Sequence, residues 1–306
     1  MLIIGENIHI ISPRVREAIE ARDAAYIQQL ARQQVEAGAG VLDLNIGPQR
    51  KAGHEVMPWI VGSVQEACDV PLSLDTTNLA AMEAGLKVCS RKAMLNSASA
   101  DPGRLDSVMT LAARYEASVI ALTMGVDGIP TTSDGRVAIA IEALLPAAEA
   151  AGVPVEDVFL DPLVLTVTCN QDVAQASVEA IRMFKMVSDP APTTTVGLSN
   201  ISNGCPAETR PLINRTFLVM LMGAGLDSAI ADPLDATQME WIRIVESRDD
   251  STPVGRLVLA LHDASAAMAD LDEDLVDAGD ETQMAILKTY RMLHNRVLYA
   301  DSYLRF

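Results

Sequence analysis

Residues 71–96, PLSLDTTNLAAMEAGLKVCSRKAMLN, contain a short apolar run, a helical stretch and a second short apolar run. The first apolar run stops at Asp75 and the second at Asn96. Short, continuously hydrophobic runs are typical of strands that are buried on both faces of a parallel sheet. We therefore predict one strand–helix–strand unit here, with a polar residue at the carboxyl end of each strand.

The same unit repeats along the rest of the chain. Strands are predicted near residues 2–8, 40–46, 71–76, 93–98, 118–124, 157–163, 194–200 and 228–232. Helices are predicted near residues 13–37, 54–68, 78–88, 103–115, 134–151, 172–188 and 211–224. Eight repeats indicate a closed (β/α)8 TIM barrel rather than an open doubly wound sheet.

The chain continues beyond the eighth predicted strand for longer than a single closing helix requires. Three further helices are predicted near residues 236–246, 254–270 and 280–298, separated by acidic, exposed turns. We interpret residues 1–306 as one barrel domain with extra C-terminal helices, and residues 236–283 as a helical insertion. This segment could serve an oligomer or a partner protein, and an acidic appendage without function is an equally good interpretation.

Composition excludes several classes of protein. Hydrophobic residues make up 49% of the 306 residues and aromatic residues only 4%, which fits the aliphatic interior of a parallel barrel. The net charge of −18 argues against a nucleic-acid partner, because phosphate binding requires clusters of lysine and arginine. No apolar run approaches the roughly 20 residues that span a bilayer, and the first residues carry no signal-peptide pattern. We expect a cytoplasmic protein with reduced cysteines.

The histidines and cysteines show no metal-binding pattern. The four cysteines form no C-x-x-C pair, and the four histidines lack both H-x-H and H-x-x-x-H spacing. We therefore predict no metal site.

Four predicted strands end in Asp or Asn. These residues are Asp75, Asn96, Asp161 and Asn200. Because the carboxyl ends of barrel strands build the active site, two carboxylates and two amides there suggest a pocket for a planar ring rich in hydrogen-bonding groups. Each residue alone could instead cap the helix that follows it.

Several longer motifs resemble the methyltetrahydrofolate:corrinoid-protein methyltransferases. This family is a branch of the pterin-binding barrels, which include dihydropteroate synthase and the folate domain of cobalamin-dependent methionine synthase. The resemblance runs along residues 1–234 and resumes in the final helix. It is carried by Met1–Glu6 (MLIIGE), Leu74–Asn78 (LDTTN), Leu95–Ser97 (LNS), Asp161–Leu163 (DPL), Gly197–Asn200 (GLSN) and Arg210–Leu218 (RPLINRTFL).

The resemblance implies roles for individual residues. Pterin-binding residues are expected to be Asp75, Asn96, Asp161, Gly197, Ser199 and Asn200. Catalytic roles are expected for Asn200, which resembles the amide that meets N5 of methyltetrahydrofolate, and for Asp161 as the route of the proton. Contacts to the folate tail or a loop ion pair are suggested for Lys185, Arg210 and Arg215, with structural ion pairing the stronger interpretation for Arg215. Structural roles are favoured for the other polar strand ends, which are Glu6, Asp43, Asn45 and Asp232.

The resemblance also implies the reaction and its partners. We expect methyl transfer between N5 of tetrahydrofolate and the cobalt of cobalamin, with the direction open. No Asp-x-His-x-x-Gly motif is present, so the corrinoid must be carried by a separate, transiently bound protein. A homodimer is expected from the family. Two alternatives stay open: a dihydropteroate synthase-like enzyme, although Ser199-Asn200-Ile201 lacks the lysine of those synthases, and a non-catalytic folate-binding subunit.

Overall fold

Eight parallel strands form one sheet in the computed structural model, which describes residues 1–304. The strands are β1 Leu2–His9, β2 Val41–Asn45, β3 Leu72–Asp75, β4 Met94–Ser99, β5 Ser118–Leu122, β6 Val158–Asp161, β7 Thr193–Thr194 and β8 Ser228–Ala231. Their order in the sheet is β7-β6-β5-β4-β3-β2-β1-β8. Consecutive strands from β1 to β7 are therefore neighbours, and β8 pairs with β1. This arrangement confirms the predicted (β/α)8 barrel.

The barrel closes between β7 and β8 through few contacts. Gly197 bridges Ile230 in parallel register, and the Ile230 N–H donates to Val196 O at 2.8 Å. The predicted seventh strand, residues 194–200, is wrong in extent: β7 ends at Thr194, and Leu198–Ser202 form a 3₁₀ helix. The backbone of this segment bonds to itself, with Asn200 N–H donating to Gly197 O, so it cannot continue a sheet ladder.

Thirteen α-helices surround the strands within residues 1–304. They are α1 Pro13–Ala21, α2 Ala24–Glu36, α3 Gly53–Gln65, α4 Leu79–Leu86, α5 Pro102–Tyr115, α6 Ser133–Ile139, α7 Leu145–Ala151, α8 Val167–Asn170, α9 Ala174–Phe184, α10 Arg210–Gly223, α11 Ala236–Ser247, α12 Pro253–Ala266 and α13 Glu281–Leu293. One π-helical turn, Ala140–Leu144, joins α6 to α7.

Two predicted helices differ most from the observed ones. The helix predicted over 13–37 is two helices, because Arg22 adopts a left-handed conformation and the Asp23 carboxylate caps α2 by accepting from Tyr26 N–H at 3.1 Å. The helix predicted over 280–298 ends at Leu293. The chain beyond it is held by Gln171, whose side chain donates to Val297 O at 2.7 Å.

The C-terminal helices pack on the outside of the barrel. Helix α12 crosses α10 closely at Gly223, where an added Cβ would lie 2.4 Å from His262 O. Helix α13 is bound to α9 by the Gln175 side chain, which donates to Leu293 O at 2.9 Å. No helix within residues 1–304 has the length and apolar character to cross a membrane.

Buried side chains form two groups. The larger lies between the strands and the surrounding helices. The smaller fills the barrel interior with one residue from each of five strands, namely Ile4, Val41, Met94, Ile120 and Phe159. This inner apolar layer is the floor above which a site can form at the carboxyl ends of the strands.

Candidate active site at the carboxyl ends of the strands

A polar layer lies directly above the inner apolar layer. Alternate side chains of a strand point to the same face, so the residue two positions after each apolar floor residue also points into the barrel. This step leads from Ile4 to Glu6, from Val41 to Asp43, from Met94 to Asn96 and from Phe159 to Asp161.

These polar side chains line one cavity of about 500 Å³. The structure brings together in its wall all six residues expected to bind a pterin: Asp75, Asn96, Asp161, Gly197, Ser199 and Asn200. Further wall residues include Glu6, His9, Asp43, Asn45 and Arg210. The cavity has the size of a small-molecule site, and its polar groups converge from several strands.

Asp161 is held in place by the turn that follows β6. Its Oδ1 accepts from Leu163 N–H at 2.7 Å, and Leu163 has a φ of 64°, a left-handed conformation that is uncommon for a residue with a Cβ. Burial raises the pKa of Asp161 to about 7, although backbone hydrogen bonds and the charge of Arg136 oppose this rise. A carboxylate with this pKa can change its protonation state near neutral pH.

Asp75 and Asp43 form an interacting pair of carboxylates. Asp43 accepts from Ser73 Oγ at 2.6 Å and from Asn96 Nδ2 at 3.1 Å, while Asp75 accepts from Asn45 Nδ2. Burial raises the pKa of Asp43 to about 6, and burial together with the charge of Asp43 raises the pKa of Asp75 to about 8. Because each charge affects the other, the two groups titrate as a pair.

Glu6 and Ser199 connect the first and seventh units of the barrel. The Ser199 hydroxyl donates to Glu6 Oε1. Burial raises the pKa of Glu6 to about 7, and the nearby charges of Asp232 and Asp43 act in the same direction. Glu6 is therefore a fourth cavity carboxyl whose pKa is raised toward neutral pH.

Asn200 lies above Gly197 at the entrance of the cavity. Its side chain is exposed, and a Cβ added to Gly197 would lie 2.9 Å from Asn200 Nδ2. The absence of a Cβ at Gly197 thus lets the amide fold down over the backbone. Among residues 1–304, no hydrogen-bond partner holds the Asn200 side chain, so this amide is available to a ligand.

The three basic residues suggested for the folate tail lie in different places. Arg210 lines the cavity, and its Nε donates to Ser202 Oγ at 3.3 Å. Arg215 binds Asp235 through its Nε and Nη2, as expected for a structural ion pair. The structure does not bring Lys185 to the cavity.

Lys185 lies at the opposite end of the barrel. Its Nζ donates to Asp227 Oδ2 at 2.7 Å, and Asp227 immediately precedes β8. The amino ends of the strands are at this end, so a ligand in the cavity is out of reach of Lys185.

Sequence reasoning gave structural roles to three residues that the structure places in the cavity wall. These residues are Glu6, Asp43 and Asn45. The period of two above the apolar floor residues is the signal that would have identified Glu6 and Asp43. The fourth residue, Asp232, accepts from Asn7 Nδ2 at 3.0 Å and lies in a smaller adjoining cavity of about 260 Å³.

The donor set favours recognition of a planar heterocycle. Ionised carboxylates accept hydrogen bonds from ring N–H groups, and amides can pair with either kind of edge. Within residues 1–304, no three or more His, Cys, Asp or Glu side chains are grouped so that they could hold a metal ion.

The sequence is similar to known enzymes along most of its length. Residues 12–232 match the family of pterin binding enzymes. A methylcorrinoid:tetrahydrofolate methyltransferase of Eubacterium limosum is 31% identical over 244 residues, which cover 78% of this chain and 88% of that one. A methionine synthase of Mycobacterium tuberculosis is 29% identical over 293 residues. The match covers 89% of this chain but spans only 24% of that longer protein.

Solved structures support the same fold. A dihydropteroate synthase from Thermus thermophilus superposes with a TM-score of 0.58 at 20% identity, covering 81% of this chain and 92% of that one. The dihydropteroate synthase of Yersinia pestis superposes with a TM-score of 0.56 at 17% identity, covering 80% of this chain and 93% of that one. At these identities the superpositions establish the barrel architecture alone.

Proposed function

Since this chain belongs to the pterin-binding enzyme family, we propose that it transfers a methyl group between N5 of tetrahydrofolate and the cobalt of a corrinoid carried by a partner protein. The chain is a methyltransferase by its similarity to the methylcorrinoid:tetrahydrofolate methyltransferase over most of both chains. The substrate, the partner and the residue roles below are parts of the proposal.

The convergence of Asp75, Asn96 and Asp161 on one cavity, with Asn200 at its entrance, carries this proposal. A pterin presents N–H donors at its amino group, N3 and N8, and acceptors at N1, O4 and N5. The carboxylates accept from the donors, and the Asn96 amide serves both kinds of edge. Gly197 allows the ring to approach the backbone closely.

Asn200 supports the chemical step at N5. The partner's corrinoid supplies the cobalt that accepts the methyl group, or donates it in the reverse direction. When the methyl leaves, the N5–CH₃ bond breaks and N5 must gain a proton, because an amide anion is a poor leaving group. The Asn200 amide cannot supply this proton, but it stabilises N5–H⁺ by a hydrogen bond. Loss of one such preorganised contact typically costs about 10²–10³ in rate.

Asp161 is the proposed route of the proton, directly or through water. Its pKa of about 7 lets it donate and accept near neutral pH, which is the condition for efficient general acid–base catalysis. The same groups serve both directions, since methyl transfer to tetrahydrofolate requires that a proton leave N5. The site itself therefore favours neither direction.

Assembly is part of the proposal. The cavity opens at the carboxyl ends of the strands, where a corrinoid protein would dock transiently. We further infer a homodimer of one-domain subunits in which residues 236–283 form an insertion. Sedimentation equilibrium of the isolated protein tests the dimer, and a single monomeric species would contradict it.

The reaction is tested by the absorbance spectrum of cobalamin. Protein, methyltetrahydrofolate and photoreduced cob(I)alamin are mixed, and loss of the Co(I) band with growth of the methylcob(III)alamin spectrum is the expected result. A corrinoid protein replaces free cobalamin if the free cofactor does not react. The Gly62→Ala variant is the matched control, because Gly62 lies outside the cavity and an added Cβ meets nothing within 4 Å.

Two outcomes would favour the alternatives. Tight folate binding without methyl transfer to any corrinoid would favour a non-catalytic folate-binding subunit. Condensation of a pterin pyrophosphate with 4-aminobenzoate would favour a dihydropteroate synthase. The absence of a lysine from Ser199-Asn200-Ile201 argues against that second alternative.

A further inference from the structure

Arg136 is a fully buried guanidinium whose hydrogen-bond partners are all neutral. It is 0% exposed in the middle of α6. Its Nε donates to Pro130 O at 3.0 Å and its Nη1 donates to Ser177 Oγ at 2.8 Å. Its buried Nη2 has no partner within residues 1–304. A buried cation costs several kcal/mol unless an opposite charge compensates it, so these neutral partners do not account for Arg136.

The oppositely charged group that acts on Arg136 is Asp161, although the two side chains form no ion pair within 4 Å. Arg136 lies on the helix that follows β5, and Asp161 ends the adjacent strand β6, with Leu122 and Asp161 paired in register. Asp161 is 5% exposed, and its carboxylate accepts from the backbone N–H groups of Leu163 and Gly197. Each side chain is thus a buried charge with only uncharged hydrogen-bond partners, and each lies within electrostatic range of the other.

We propose that Arg136 is a positioning residue that acts through Asp161, by supplying a buried counter-charge that favours the ionised form of this carboxyl group. Arg136 does not line the cavity itself. Asp161 in its ionised form accepts hydrogen bonds from a ring, whereas a protonated Asp161 would lose half of its acceptor capacity and present a donor. This inference rests on the proposed function only for the identity of the ring.

The cavity around Asp161 holds charged groups of both signs. The titratable groups that share the cavity with it are the carboxyls Glu6 of β1, Asp43 of β2 and Asp75 of β3, the imidazole of His9 on β1 and the guanidinium of Arg210 on α10. The negative charges disfavour ionisation of Asp161, and the guanidinium favours it. Burial raises the pKa of Asp161, and the Arg136 charge lowers it. An Arg⁺ within about 4–6 Å of an Asp typically lowers the pKa of that Asp by about 1–3 units, and because Arg136 and Asp161 form no direct ion pair, removal of the charge should have an effect at the lower end of this range.

The first test follows the Asp161 carboxyl in the absence of any ligand. Protein labelled with ¹³C at aspartate Cγ is titrated from pH 5 to 9.5, and the Asp161 resonance is assigned by its loss in Asp161→Asn. In Arg136→Gln, the titration midpoint is expected to rise by about 1 pH unit or more relative to the wild type. An unchanged midpoint in folded Arg136→Gln would overturn the proposal.

Two further variants separate charge from packing. Arg136→Lys keeps the positive charge and is expected to restore a midpoint close to that of the wild type. Ser177→Ala removes one hydrogen bond of Arg136 without removing its charge and is expected to leave the midpoint in place. If Arg136→Gln does not fold, Arg136→Lys provides the test instead. A titration midpoint of Asp161 in Arg136→Lys that lies about 1 pH unit or more above that of the wild type would then overturn the proposal.

Binding of methyltetrahydrofolate, measured by calorimetry across the same pH range, links this role to the proposed function. Arg136→Gln is expected to bind at least about fivefold more weakly at pH 7, because a rise of 1 unit from a pKa of about 7 lowers the ionised fraction of Asp161 by about that factor, and to approach wild-type affinity at pH 9, where Asp161 is mostly ionised in both proteins. An equal loss of affinity at both pH values would indicate a purely structural role. Failure of the wild type to bind at any pH would contradict the proposed function, whereas the NMR midpoints would still decide the role of Arg136.

Discussion

At the scale of single residues, the site combines side chains that are held by hydrogen bonds with one side chain that is not. Asp161 is fixed by the Leu163 N–H, and Asp43 is fixed by Ser73 and Asn96. Asn200 is exposed at the entrance and has no side-chain hydrogen bond to residues 1–304. The hydrogen-bonded carboxyl groups are suited to recognise a rigid ring. The Asn200 amide can reorient toward a reacting atom as the charge of that atom changes.

The first prediction concerns this free amide. Asn200→Ala should slow methyl transfer at least tenfold and weaken methyltetrahydrofolate binding, because N5–H⁺ loses a hydrogen bond within the range of about 10²–10³ typical for such contacts. Single-turnover kinetics monitored at the Co(I) band provide the measurement. The thermal midpoint should stay close to that of the wild type, and wild-type turnover in this variant would exclude Asn200 from the mechanism.

The sequence pattern identifies some of the site residues and misses others. Asp75, Asn96 and Asp161 could be predicted because each ends a recognisable apolar run. Glu6 was missed because it lies inside β1 and not at the end of the strand, so that only its spacing of two from Ile4 marks it, and its partner Ser199 is 193 positions away along the chain. Only the closed barrel brings such residues together.

At the scale of elements, helix packing depends on a close crossing that the sequence pattern did not predict. The hydrophobic periods located α10 and α12 to within one residue at their starts. They could not show that the two helices touch at Gly223, since this contact depends on the path of the intervening chain. They also could not show that α1 and α2 separate at Arg22, where a left-handed residue is required.

The second prediction tests the crossing of α10 and α12. Gly223→Ala should destabilise the protein by about 1–3 kcal/mol, because its Cβ would lie 2.4 Å from His262 O and 2.8 Å from Ser265 Cβ, so that the helices must separate. Gly62→Ala in α3 is the control and should stabilise the protein by about 0.4–1 kcal/mol, because the added methyl meets nothing within 4 Å. Urea unfolding measures both. Equal stability of the two variants would show that α12 is loosely attached.

At the scale of the whole molecule, the two ends of the barrel have separate tasks. The carboxyl ends of the strands hold the cavity, and the amino ends complete the closure between β7 and β8. Asp227 is central to that closure, since its Oδ2 accepts from Thr194 N–H and Thr194 Oγ1, both at 2.8 Å, as well as from Lys185.

The third prediction follows from this separation of tasks. Asp227→Ala should destabilise the protein by about 1–3 kcal/mol, because the buried Thr194 N–H and hydroxyl lose their acceptor. Lys185→Met should cost about 1 kcal/mol or less, because that ion pair is partly exposed. Chemical unfolding gives the stabilities, and calorimetry should find folate affinity within about twofold of the wild type. A tenfold loss of affinity in Lys185→Met would place this lysine in contact with the folate after all.

The fourth prediction arises from the buried carboxyls of the cavity acting together on stability. Burial raises the pKa of Glu6 and of Asp161 to about 7, and burial with the charge of Asp43 raises that of Asp75 to about 8. In the unfolded chain these groups titrate near pH 4. Between about pH 4 and pH 8 these carboxyls therefore bind more protons in the folded state than in the unfolded state, and the stability that they contribute falls as pH rises through this range.

Thermal unfolding of the ligand-free protein at pH 6.5 and pH 8 measures this effect in a window above the usual histidine pKa. The midpoint should be lower at pH 8 by about 2 °C or more, since a loss of 1 kcal/mol corresponds to about 2–4 °C at this domain size. Asp75→Asn should reduce the difference, because the amide does not titrate. A saturating pterin ligand should reduce it as well, because hydrogen bonds from ring N–H groups stabilise the ionised carboxylates and lower their pKa values. A midpoint that rises from pH 6.5 to pH 8 would mean that these carboxyls are already ionised in the folded protein, and the cavity would then recognise its ligand with fixed negative charge.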